Sequence, residues 1–211
     1  MAASRYRPES QGTSPPDTDR DADPDALTAI GYYGAVQLLV LGLPALWLLF
    51  LSSLDPTLLG PAVLVACAVL PVSVAAGRRG LFGDGWPRLS NAKLGTGEDG
   101  GYLAFVRRAA HVCSTLVVAV LVGVLAGHRL GVPGSVATAT LLTAAGTALV
   151  VPFARPGRWR RLACAGYHAT ALGLVWVVVD PFGSGLPSAV ATTAVLALLG
   201  VVAVWRAPAA G

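Results

Sequence analysis

Residues 104–161 read AFVRRAAHVCSTLVVAVLVGVLAGHRLGVPGSVATATLLTAAGTALVVPFARPGRWRR, and this stretch decides the fold. Two apolar runs, 104–127 and 133–153, flank a short polar break that carries His128 and Arg129. Arg107 and Arg108 open the stretch, and Arg155, Arg158, Arg160 and Arg161 close it. A bilayer core about 30 Å thick is crossed by about 20 helical residues, and basic side chains collect on its cytoplasmic side. The stretch therefore predicts a helical hairpin that leaves the cytoplasm, turns at HRLGVPG and returns.

The pattern repeats on both sides. Further apolar runs cover 26–51, 58–76, 162–179 and 187–205, joined by SLDPTLLGPAV and VDPFGSGLPSAV. Each of the three turns delivers Gly and then Pro just before the next run. Gly supplies the turn, and Pro suits the first helical position, where its missing N–H is not needed. The reading is an all-α, polytopic integral membrane protein over 26–206, with six transmembrane helices arranged as three helical hairpins. Composition agrees: 55% of the 211 residues are apolar and 12% charged, where a soluble domain carries about 25% charged residues.

Fourteen of the fifteen basic residues fall on the side of the termini, the 77–103 loop and the 155–161 segment, leaving only Arg129 opposite. That asymmetry predicts both termini in the cytoplasm. It also accounts for the pI near 9.3 without a nucleic-acid partner. The near absence of Lys, the Ala, Val and Gly richness and the acidic tail suggest a prokaryotic chain and hence the cell membrane. Residues 1–25 hold six acids and three arginines with almost no aliphatic bulk, so they are expected to be a disordered acidic tail. Residues 77–103 form a Gly-rich cytoplasmic loop and 207–211 a short C-terminus. The loop's GTGEDG at 95–100 matches G-x-G-x-x-G, but no strand precedes it and Glu98 and Asp99 would repel a pyrophosphate. Cys67, Cys113 and Cys164 all lie inside apolar runs, which is not a disulfide framework.

Small residues mark helix packing. Gly123 and Gly127 form a GxxxG in the third run, and Ser135, Ala139, Thr143 and Thr147 make an i, i+4 row in the fourth. That row marks the fourth run as the expected central packing helix. Pro44 and Pro71, inside the first and second runs, are expected to kink them.

No Asp, Glu, Lys or Arg lies deep in any run, which excludes a proton pump built on a midplane charge. No nucleophile, base and orienting partner, no HExxH and no paired carboxylates occur, so the chain is read as not an enzyme. His111 and His168 both fall in the inner half of the membrane, and Cys164 shares a helix face with His168. Three functions are consistent with these residues. The first is a non-catalytic membrane component whose partners are the lipid bilayer and a membrane or cytoplasmic protein. The second is a permease or channel for a small solute, with Gln37, Pro44, Pro71 and the fourth-run threonines along its path. The third is a haem protein using His111 and His168, or a soft-metal site of His111, Cys164 and His168. In the blander reading, these histidines hydrogen-bond between helices.

Overall fold

A computed structural model of the chain describes residues 29–78, 101–149, 158–183 and 185–204. The tail 1–25, nearly all of the 77–103 loop with its GTGEDG, and residues 207–211 lie outside the described residues. All regular elements among the described residues are helical. They are a π-helical segment Ala29–Ala35, α1 (Val36–Leu41), α2 (Leu43–Leu51), α3 (Pro56–Arg78), α4 (Gly101–Leu149), α5 (Arg158–Leu174) with a π-helical extension Val175–Val179, and α6 (Pro187–Val204). Four stretches are long and apolar enough to cross a membrane: Pro56–Gly77, Phe105–Ala148, Leu162–Val179 and Pro187–Val204.

The first apolar run is not among these four because it is broken. The break falls at Gly42 (φ −85°, ψ −10°), two residues before Pro44, which sits in the first turn of α2. Pro44 has no N–H to offer the carbonyl four residues back, so the ladder is interrupted there. The Gly42 N–H to Leu38 O bond, at 2.9 Å, and the Leu46 N–H to Gly42 O bond, at 3.0 Å, carry the chain across the gap. Helix α3, by contrast, runs unbroken through Pro71.

Helix α3 starts at Pro56, two residues before the apolar run that begins at 58. Asp55 caps it: its carboxylate accepts the Thr57 N–H at 2.9 Å and the Thr57 hydroxyl at 2.8 Å. Pro56 then takes the first helical position, and Pro61 lies inside the helix. The exposed Asp55 carboxyl is held below its usual range, first by the Thr57 hydroxyl and then by the Thr57 backbone.

Helix α4 contains the third apolar run and the described part of the fourth, through Leu149. Gly131, at φ 71° and ψ −170°, interrupts it in a region open essentially to glycine alone. The two arms on either side of Gly131 pack antiparallel. A Cβ added at Gly127 would come within 3.0 Å of the Ser135 Cβ, one at Gly123 within 3.2 Å of the Ala139 Cβ, and one at Gly146 within 3.0 Å of the Thr115 Cγ2. The GxxxG glycines thus face the small-residue row across the seam.

The centre of the bundle is the first arm of α4, not the Thr-rich second arm. Every residue from Arg108 to Leu121 is buried, whereas Leu141 on the second arm is 68% exposed. A helix that is apolar on all sides suits a protein core or a membrane interior, and here it is protein that encloses it. Neighbours on every side do this: Cys113 Sγ donates to Leu41 O of α1 at 3.0 Å, and Arg107 Nε donates to Ala203 O of α6 at 3.2 Å. Outward-facing side chains are large and apolar, with Phe50, Leu64 and Val177 each more than 70% exposed. A surface of that kind belongs against lipid, and the apolar helices mark a membrane protein.

Candidate functional site

The central arm carries one polar seam inside its apolar length. Arg108, His111, Ser114 and Thr115 are all buried, and their i, i+3, i+7 spacing puts Arg108, His111 and Thr115 on neighbouring turns of one face. Helix α5 supplies the answering groups, Tyr167 and His168. Ser114 Oγ and His168 Nδ1 share a hydrogen bond at 2.7 Å, both groups being buried. Beside it, Tyr167 Oη donates to Thr115 Oγ1 at 3.2 Å. The Tyr167 ring also packs on both imidazoles, with centroids 5.9 Å from His111 and 6.3 Å from His168. The two sequence-predicted histidines are therefore brought to one cluster, through a shared tyrosine.

Glycine makes room for that tyrosine. A Cβ at Gly146 would lie 2.7 Å from Tyr167 Oη, so glycine at this point on the second arm leaves room for the phenol to reach Thr115. A cavity of about 10 Å³ adjoins the pair, with Cys113, Ser114 and His168 on its polar side and Val117, Val175 and Leu196 on its apolar side. That is about the space of one water molecule.

The other predicted site residues are placed as follows. Cys164 is half-buried, and no group of three His, Cys, Asp or Glu side chains among the described residues is placed to hold a metal ion. Ser135 Oγ donates to Leu58 O at 3.2 Å, joining the second arm to α3. Thr143 donates to Ala139 O at 2.7 Å and Thr147 to Thr143 O at 2.8 Å, so both hydroxyls are engaged within their own helix. Pro71 is buried where Gly34 packs against it, close enough that a Cβ at Gly34 would stand 2.6 Å from its ring. Pro44 is half-buried. Gln37 lies on α1, and its side chain is outside the described ones.

Ser114, Thr115, Tyr167 and Arg108 were not singled out from the sequence. One signal was available: Ser114 and Thr115 stand three and four residues after His111, the spacing of a shared helix face. Comparison of the chain with protein-family models, with curated proteins and with solved structures returned no match.

Proposed function

We propose that the protein is a six-span component of the cell membrane, built as three hairpins with both termini in the cytoplasm. It acts without catalysis, through helix packing and contact with a membrane or cytoplasmic protein. The observation that supports this reading is the use made of the polar seam. Ser114 is engaged with His168, Thr115 with Tyr167 and Cys113 with Leu41, so the interior polar groups tie helices together. A solute path would instead need such groups to face an open way through the bundle, whereas the cavity beside Ser114 and His168 has room for about one water molecule. Pro71 closes on Gly34, and the hydroxyls of Thr143 and Thr147 turn back to their own helix.

The span count draws on the reversal at Gly131 and on the first apolar run, whose two pieces continue in one direction across Gly42. Orientation draws on the fourteen-to-one distribution of basic residues. Two experiments test the whole reading. In intact cells, a membrane-impermeant maleimide should label Arg129→Cys but not Arg20→Cys or Arg206→Cys; the reverse pattern overturns the topology. In proteoliposomes, a panel of small neutral solutes should show no saturable flux, and deletion of residues 1–25 should change partner recovery without changing insertion. Saturable flux, or unchanged partners, overturns the assignment.

A further inference from the structure

We infer that Trp176 and Phe182 form an anchor at the headgroup–acyl boundary of a lipid bilayer, at the end of the bundle marked by the Asp180 turn. The inference rests on the membrane reading above and names the lipid contact of one rim. Trp176 lies in the π-helical extension of α5, and Phe182 lies in the reversal that leads to α6. Their ring centroids are 5.0 Å apart with planes at 47°. Both are largely bare, 62% and 57% exposed, so the pair is not a core contact.

The surface around the pair changes character within one helical turn. Asp180 is exposed, sits at a left-handed φ of 45°, and accepts the Gly183 N–H at 3.1 Å. Gly183 and Gly185 expose peptide groups beside it. On the helix side of the pair, Val177 presents 79% of its surface. Four residues separate Trp176 from Asp180, about 6 Å along a helix, and the indole leans toward the turn, where it meets Phe182. An aromatic ring with one polar N–H collects where such a gradient meets the edge of a bilayer. The charge fits a zwitterionic surface: from Leu162 to Val204 the chain carries Asp180 and no Lys or Arg, a carboxylate suited to the cationic end of a choline headgroup.

Trp47 supplies an internal reference. It too is exposed and stacks on Phe50 at 5.9 Å, and it stands on α2, four residues before that helix ends at Leu51.

The test uses full-length protein carrying W86F, W159F and W205F, with either W47F or W176F added so that one tryptophan remains. Each is reconstituted in phosphatidylcholine vesicles brominated either near the headgroup or near the bilayer centre. Trp176 should be quenched at least twofold more by shallow than by deep bromines, and Trp47 should be quenched by at least one of the two. Equal or deeper quenching of Trp176 overturns the anchor, and so does an unquenched Trp176 beside a quenched Trp47, which would mean that protein covers the pair. Absence of quenching at both positions overturns the membrane reading itself. W176F in the otherwise unaltered chain gives an independent check, since it should remove shallow-quenched intensity.

Discussion

Gly123→Ala tests the seam between the two arms of α4. The added methyl would stand 3.0 Å from the Ser135 carbonyl oxygen and 3.2 Å from the Ala139 Cβ, both tighter than ordinary contact. The first of these neighbours is backbone and cannot rotate away. The arms must part by a few tenths of an ångström, which also strains the Ser135 bond to Leu58 O, already 3.2 Å long. Overpacking of this kind costs about 1–3 kcal/mol, and the better helix propensity of alanine returns up to about 1 kcal/mol. The net loss is about 1–2 kcal/mol, close to a tenfold shift in the unfolding equilibrium. Reversible unfolding in mixed micelles, followed by tryptophan fluorescence, measures it. Gly60→Ala on α3 is the control, because nothing lies within 4 Å of its would-be Cβ. If Gly123→Ala is as stable as Gly60→Ala, the arms do not approach at this point and the hairpin geometry is wrong.

Four further outcomes follow from other contacts. Gly131→Ala forces a Cβ into a backbone region that only glycine tolerates and should lose about 1–3 kcal/mol in the same assay, with no change in secondary-structure content. Ser114→Ala leaves His168 Nδ1 without its partner at the centre of the bundle and should lose about 1–3 kcal/mol, while Ser114→Ala with His168→Leu should recover part of it; strict additivity would refute the pairing. Gly34→Ala should loosen the first helix from Pro71, seen as faster hydrogen exchange over 36–51 than in wild type. The Asp55 cap should be pH-dependent: the folded carboxyl titrates below 3.8, so its contribution is complete above that value and lost as pH falls through the lower folded value. An acid titration of thermal stability should show that loss in the wild type and not in Asp55→Ala.

Much of this architecture was legible because membrane helices and their turns are local. Length, apolarity and the HRLGVPG break expose the hairpin of α4 without reference to any other part of the chain. Gly123, Gly127, Ser135 and Ala139 were each legible as small packing positions, but that the glycines face Ser135 and Ala139 came from the structure. Helix α3 starts two residues before the apolar run at 58–76, because the two hydrogen bonds at Asp55 begin it at Pro56 and such a cap carries no hydropathy signal. The central helix was misread because threonine content drew attention to the second arm, where the hydroxyls satisfy themselves. Which arm sits in the middle depends on how hairpins dock, and a period of 3.6 residues carries no record of docking. The pairing of Ser114 with His168 was hidden for that reason, although each residue stood in plain view within its own run.

The reach of the central arm has a consequence for biosynthesis. It touches one of the earliest helices at Leu41 and the last at Ala203, and the Arg107 bond spans 96 positions of sequence. When the ribosome has made the first arm, Tyr167, His168 and Ala203 do not yet exist. Arg108, His111 and Ser114 therefore enter the bilayer before the groups on α5 and α6 that enclose them, at a cost that nascent membrane helices bear only while sheltered. The core closes only once α6 has been made, and a chain that stops before Pro187 leaves the central helix uncovered on one side, a nascent product suited to recognition by membrane quality control.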